Sequence, residues 1–499
     1  MSTPNSGATK AFGRSAALPV MRQGLAMAAL LASVSACASS GGAAGSASPL
    51  FGSPKVPAQA NDIITDFRDA PPAPAGDSAA WWARFADPVL DALVREALNE
   101  SISVQQANSR LVQARSTGRA TVAGYAPRLT ATASSDSNFA IDGTKLTNVT
   151  GGEEDSQTTG ALGARVTWEV PLFGRLGSAI SGAKAGIKGA QLDVEAAKIA
   201  VIGDIAAGYV DLRNAQLNLA YVQDDLARAE ALLAIAQKRG DAGLLSRVDV
   251  SLAQTQAASV RARLPDATLA VRAGLDRLAI LRGVMPGSLD ARLAPIADFA
   301  FQNGAPAIDA VPANYIRRRL DVARAEQSAV LAGAQVGISR SELYPSLSLT
   351  GSITSLASLA GSVLTGNLVR ANAAPAISLP LFDFGQRRAA LSSSQAQFQQ
   401  ALLQYRATTL NAVAEGQSAL TAYDQARTRA LAAADSERAA TTRLNATNAA
   451  YQAGLVAFKD LLDAQRDHSS ARQSSLSSQA QFSNAAIGLY RTFAGAPGI

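Results

Sequence analysis

Apolar residues recur along this chain with two different periods, and the places where the period changes mark out its elements. Leu90, Leu93, Val94, Ala97 and Leu98 follow helical spacing just after Trp81-Trp82, and a second helix is expected over about 103–123. From Arg128 the period falls to two. Leu129, Ala131 and Ala133 alternate with Arg128, Thr130 and Thr132, which predicts a strand over about 128–140. After a polar, Gly- and acid-rich loop at 141–159 the alternation returns over about 160–172. Leu162, Ala164, Val166, Trp168 and Val170 fall on one side, and Gly163, Arg165, Thr167 and Glu169 on the other. Two further strands are expected near 345–355 and 374–384. Strands of roughly ten residues with one apolar and one polar face match transmembrane barrels, although soluble hairpins alternate in the same way.

The rest of the chain has helical period and considerable length. No proline lies between Pro171 and Pro265, or between Pro380 and Pro497. Residues 178–238 would make one helix of about 90 Å at 1.5 Å per residue. Leu226, Ala229, Leu233 and Ala236 form its apolar stripe, but the intervening residues are too polar for lipid. Such helices belong in water, with their stripes buried against one another in a coiled-coil wall.

The pattern occurs twice. Ala242-Gly243-Leu244 with Asp249 and Ala253-Gln254 is echoed by Ala453-Gly454-Leu455 with Asp460 and Ala464-Gln465. Each copy interrupts a long helical stretch, as a helix–turn–helix tip would. Pro127-Arg128-Leu129 is matched by Pro345-Ser346-Leu347, and Val170-Pro171-Leu172-Phe173-Gly174 by the run from Leu379 to Gly385. The first copy spans 81–285, with a helical hairpin at about 176–283. A connector covers 286–311, and the second copy spans 312–496, with its hairpin at about 386–494. The period far exceeds that of solenoid repeats.

Composition narrows the function. Only 5% of the chain is aromatic and 17% charged, which suits small-residue packing between long helices better than an enzyme core. The net charge is +6, but Lys10, Arg14 and Arg22 precede Cys37 and no acid does, so the remainder is closer to neutral. That argues against a nucleic-acid partner; Arg317-Arg318-Arg319 is the one tight basic cluster and reads as a solvated helix face. One cysteine and one histidine exclude an internal disulfide and a Cys/His metal cluster. Gly177, Gly182 and Lys184 approach a phosphate-binding loop, but no Ser or Thr follows the lysine. His468 stands alone on a polar helix and reads as solvated. No nucleophile, cofactor or metal signature is present.

The leader carries the most informative cysteine. Residues 25–36 are apolar, follow Arg22 and are too few to span a bilayer of roughly 30 Å, so 1–36 reads as a signal peptide. Met21 begins a complete leader on its own and is a candidate true start. Leu31 to Cys37 resembles a lipobox, in which Cys37 would be lipidated. Residues 37–80, rich in Ser, Gly, Ala and Pro, would then be a tether.

Four strands cannot close a barrel, and an open sheet edge is not tolerated in lipid. Two chains would supply eight strands and three would supply twelve. At this point the residues resemble the outer-membrane efflux protein family, in its TolC-like, NodT-type lipoprotein branch. The carriers are the lipobox at Cys37, Asp87-Pro88, Trp168 to Gly174, Arg319 to Glu326, Leu343 to Leu347, and the two Ala-Gly-Leu tips. Leu320 and Ala126 depart from the usual pattern, and Val456 stands where TolC-type channels often have Arg.

The resemblance implies a mainly α fold with a membrane β-barrel part. It would be a homotrimer, with one twelve-stranded barrel continued by a periplasmic α-helical barrel. It implies a passive exit duct with no enzymatic activity and no cofactor beyond the lipid on Cys37. Its partners would be a periplasmic adaptor, an inner-membrane pump of the resistance-nodulation-division type, and outer-membrane lipid. The cargo would be drugs or other toxic compounds, as in multidrug resistance. Asp460 and Asp463 are the implied gate, with Tyr451 as a latch and Asp249 in the first tip. Asp460 would serve equally as a helix N-terminal acceptor. Gly243, Leu244, Gly454 and Leu455 are the expected adaptor contacts. A duct for type I protein secretion and a lipid-anchored periplasmic coiled-coil scaffold remain as alternatives.

Overall fold

The computed structural model describes residues 78–294, 316 and 319–493, apart from 140, 142–144, 148–152, 155, 361 and 362. Cys37, the leader, nearly all of the tether, most of the 286–311 connector, Arg317 and Arg318 lie outside the described residues. A short 3-10 helix, Ser78–Phe85, leads into α1 (Pro88–Glu100) and α2 (Ile102–Ala123). Then come β1 (Arg128–Phe139), the two-residue strands β2 (Leu146–Thr147) and β3 (Glu153–Glu154), and β4 (Ser156–Val170). The first hairpin is α3 (Arg175–Asp241) and α4 (Arg247–Arg282), followed by the single turn α5 (Asp290–Leu293). The second copy runs α6 (Leu320–Ser341), β5 (Ser346–Ala360), β6 (Val363–Ser378), α7 (Gln386–Gln452) and α8 (Phe458–Phe493).

The duplication is carried into helix length. Both α3 and α7 have 67 residues, and both α4 and α8 have 36. At 1.5 Å per residue the long members extend about 100 Å. Equal lengths let both tips end at one level.

The four long strands form one antiparallel sheet in the order β1-β4-β5-β6. The helices joined to them follow the same order, α2 against α3, α3 against α6 and α6 against α7. Nearer the tips, α4 pairs with α3, α3 with α8 and α8 with α7. The chain is therefore a strip four elements wide from sheet to tips. Each strand passes into its helix without changing place.

The strand-to-helix junctions explain the repeated Pro-Leu-Phe motif. Pro171 has no N–H for the ladder, so β4 ends before it. Phe173 and Gly174 then take φ of 53° and 80°, and Phe384 and Gly385 take 51° and 85°. This left-handed pair turns the chain into each long helix. The same chemistry corrects the last strand. The alternation predicts 374–384, whereas β6 covers Val363–Ser378 and residues 379–385 form the turn, because Pro380 cannot donate and Phe384-Gly385 must reverse direction. The 345–355 strand extends to Ala360, and the 141–159 loop holds the β2–β3 ribbon.

The main core sits where α1 crosses the wall. Leu90, Leu93, Val94 and Ala97 are fully buried beside Ile205, Tyr209, Leu212 and Leu278. Trp81 stacks on Tyr490 with ring centroids 4.9 Å apart. Asp87 caps α1, accepting from the Val89 and Leu90 amides at 2.8 and 3.3 Å, and Pro88 occupies the first turn, where its missing N–H costs nothing. The other carboxylate oxygen of Asp87 accepts from the Tyr209 hydroxyl at 2.5 Å. The Asp87-Pro88 pair thus both starts α1 and ties it to α3.

His468 corrects the expectation of a solvated side chain, being only 8% exposed. Burial and the nearby Arg228 and Arg472 push its imidazole below the usual range. The reason is that the α3–α8 seam is polar. Arg472 donates to Asp224 at 2.9 Å and lies over the Tyr221 ring at 3.5 Å. Ser469 donates to the buried Asp225, Asn484 to Asp211 at 2.8 Å, and Arg491 to Asp204 at 2.8 Å. A helix face that looks solvated in sequence is here hydrogen-bonded to its neighbour.

Candidate functional site

Each hairpin tip is closed by backbone geometry that its sequence dictates. At the end of α3, Gly243 takes φ +72°, and the Leu244 amide donates to the Arg239 carbonyl at 2.8 Å. At the end of α7, Gly454 takes φ +74°, and the Leu455 amide donates to the Ala450 carbonyl at 2.9 Å. These are Schellman closures, which need the αL conformation that glycine tolerates. They leave Leu244 and Leu455 outermost, 77% and 78% exposed. Apolar side chains so exposed at two adjoining tips suit contact with another surface.

The acids beyond each turn sit at the starts of the returning helices. Ser246 caps α4, its Oγ accepting from the Asp249 amide at 3.1 Å and donating to the Asp249 carboxylate at 2.7 Å. Asp460 reaches back to accept from the Ala457 amide at 3.1 Å at the start of α8. Asp463 accepts from Lys459 at 2.7 Å and faces Arg466 at 3.8 Å. The Lys459 ammonium holds the Asp463 carboxyl below its usual range. Within one chain Asp249 holds the hydroxyl of the capping Ser246, Asp460 caps α8, and Asp463 is countered by two cations.

The two tips form one unit. Arg239 of the first tip donates to the Tyr451 hydroxyl of the second at 2.8 Å, and its guanidinium lies 5.4 Å from the ring centroid. Tyr451 packs on Phe458, centroids 5.7 Å apart, over a small core of Ala236, Ala253, Phe458 and Leu462. Arg466 donates to Gln256 at 2.5 Å, tying α8 to α4. The sequence singles out Tyr451 but gives no sign of Arg239. Beside Lys238 in the last turn of α3, only the packing of the tips selects it.

No described helix is long and apolar enough to cross a membrane, and among the described residues no cluster of His, Cys, Asp or Glu could hold a metal ion. The sheet carries the membrane signal. Its register places Leu129, Val166, Gly351 and Ala373 on one level of one face, followed by Ala131, Ala164, Ile353 and Ala371 on the next. The opposite face shows Arg128, Thr167, Thr350 and Ala374, then Thr130, Arg165, Ser352 and Asn372. Trp168 lies on the apolar face near the helical end and donates to the Tyr125 carbonyl at 2.9 Å.

A family model described as Outer membrane efflux protein matches residues 93–284 and 311–495, the two halves of the duplication. The chain belongs to the outer membrane efflux protein family. The efflux protein is 30% identical over 410 residues to Nodulation protein T of Rhizobium leguminosarum bv. viciae, covering 80% of this chain and 81% of that one. It is 25% identical over 468 residues to the pyoverdine export outer membrane protein OpmQ of Pseudomonas aeruginosa, covering 93% and 96%. Its fold is similar to the outer-membrane channel OprN, with a TM-score of 0.76 at 26% identity over 87% of this chain and 96% of that one. The efflux protein accordingly has the TolC-like channel fold and is not an enzyme.

Proposed function

We propose that the protein is the outer-membrane exit duct of a tripartite efflux system, passively carrying small toxic molecules such as drugs from a pump to the exterior. The observation that carries this reading is the sheet. Its outer strands β1 and β6 each have one neighbour within the chain, yet one face is apolar along all four strands. Turning the other face to lipid would expose Arg128, Arg165 and Arg370, at about 2–4 kcal/mol each near the midplane. The apolar face therefore meets lipid, and the open edges must pair with further copies. Two copies would give an eight-stranded barrel whose interior side chains fill, whereas three give twelve strands and room for a passage. The homotrimer extends its helical strips into the periplasm as a second barrel, and lipid on Cys37 anchors each subunit. The names of the relatives favour small-molecule cargo over protein secretion, one of them exporting pyoverdine.

The tips face a periplasmic adaptor coupled to an inner-membrane pump of the resistance-nodulation-division type. Leu244 and Leu455 are the adaptor contacts, positioned by Gly243 and Gly454. A cysteine at Leu455 is expected to cross-link to a cysteine at the adaptor tip in intact cells; a cross-link formed only from mid-helix control positions would refute the contact.

In the trimer the Asp460 and Asp463 side chains converge on the axis as the gate, with Tyr451 held by Arg239 as its latch and Asp249 behind it. Replacing Asp460 and Asp463 together by Ala is expected to raise single-channel conductance in planar bilayers severalfold. Unchanged conductance would remove the gate assignment.

A further inference from the structure

Three arginines share the polar face of the sheet, on three successive levels. Arg128 is level with Thr167, Thr350 and Ala374; Arg165 with Thr130, Ser352 and Asn372; Arg370 with Thr132, Gly163 and Thr354. Every other position on these levels is uncharged. The arginines climb across the sheet, through strands β1, β4 and β6, over about 14 Å at 3.4 Å per residue. All three are exposed, and none is in an ion pair among the described residues.

The carboxylates on that face do not cancel them. Glu169 lies one level nearer the helices and accepts from Arg175 at 2.7 Å. Asp136 lies two levels beyond Arg370, about 14 Å along the strand, beyond a Debye length at physiological salt. At the tips, by contrast, Lys459 and Arg466 face Asp463. The uncompensated charge on the sheet's polar face is therefore positive.

We infer that the barrel section is an anion-preferring filter, formed by Arg128, Arg165 and Arg370 of each subunit, and that the duct favours negatively charged cargo. This rests on the trimeric barrel proposed above, which brings three copies of the belt around one lumen. A ring of fixed cations in a narrow aqueous pore raises the local concentration of anions and repels cations. Guanidinium suits the task because it stays charged and binds carboxylate or phosphate with two parallel hydrogen bonds.

The test is the reversal potential of the full-length, lipidated protein in planar bilayers under a potassium chloride gradient. With Asp460 and Asp463 replaced by Ala, which removes the acidic gate, the channel is expected to prefer chloride, and the belt variants are made in that background. The triple variant Arg128→Gln, Arg165→Gln, Arg370→Gln is expected to lose that preference or invert it, and the triple Lys variant to keep it. Native mass spectrometry of each variant checks that assembly is unchanged. A cation preference in that background, or a Gln variant with an unchanged reversal potential, overturns the belt while leaving the duct standing. A protein that conducts nothing, even with Asp460 and Asp463 replaced by Ala, overturns the duct and the belt with it.

Discussion

Replacing Arg213 by Met is expected to lower stability by about 3–5 kcal/mol and to expose the long helices to protease. Arg213 is only 2% exposed and Tyr209 not at all. One guanidinium nitrogen donates to the Tyr209 hydroxyl at 2.8 Å, and the other to Gln216 at 2.7 Å and to the Leu293 carbonyl at 3.3 Å. Tyr209 in turn donates a hydrogen bond to Asp87, the residue that caps α1. Burial and the Asp87 carboxylate push the Tyr209 hydroxyl far above its usual range, so it remains a donor at any physiological pH. Methionine fills much of the space but takes the Arg213 donor from the tyrosine oxygen and from the Gln216 side-chain oxygen, leaving the Leu293 carbonyl to the Gln216 amide alone, 2.7 Å away. Buried polar groups stranded in this way cost more than the bond itself contributed. Gln216→Leu, which removes one branch and leaves the Arg213–Tyr209–Asp87 chain intact, is expected to cost about 1–2 kcal/mol. Urea denaturation of the detergent-solubilised protein measures both. Equal losses from the two substitutions would mean that the network is not organised around Arg213.

The second large effect is expected on the sheet and depends on face alone. Ala164 and Ile353 share a level on the apolar face, near the middle of the band from Leu162 to Val170. Arginine at either is expected to cost about 2–4 kcal/mol and to reduce sharply the assembled protein in outer membranes. Thr167 and Thr350, each a few residues along its strand on the polar face, are level with each other. Arginine there is expected to leave assembly at wild-type levels, since that face already holds Arg128 and meets water. Quantifying protease-resistant protein in isolated outer membranes checks the contrast. Loss of assembly from both sets would show that the polar face is also packed.

What the sequence discloses and what it conceals follow from the range of each signal. Alternation is local, so β1 and β4 can be read from Leu129 to Ala133 and from Leu162 to Val170. Their order in the sheet cannot, because pairing β4 with β5 depends on where α6 lies between α3 and α7. The tips were legible because Gly243 and Gly454 answer a local demand, an αL residue at a helix end. The end of the last strand is hidden because leucines at 379 and 381 continue the alternation through Pro380, and periodicity does not register a missing donor. The burial of His468 is hidden because hydrophobic patterning finds only apolar contacts. The α3–α8 seam is held by Asp204, Asp211, Asp224 and Asp225 against Arg491, Asn484, Arg472 and Ser469. These residues look solvent-facing until the helices are placed side by side. The arginine belt lay in plain view as Arg128, Arg165 and Arg370, but only the sheet register puts them on one face.

Native mass spectrometry of the full-length protein, extracted in detergent from bacterial outer membranes, tests the central claim most directly. The expected result is a trimer whose subunits each begin at Cys37 and carry acyl mass, which would supply twelve strands and leave no edge in lipid. A lipidated monomer would contradict it, because β1 and β6 would then have nothing to pair with.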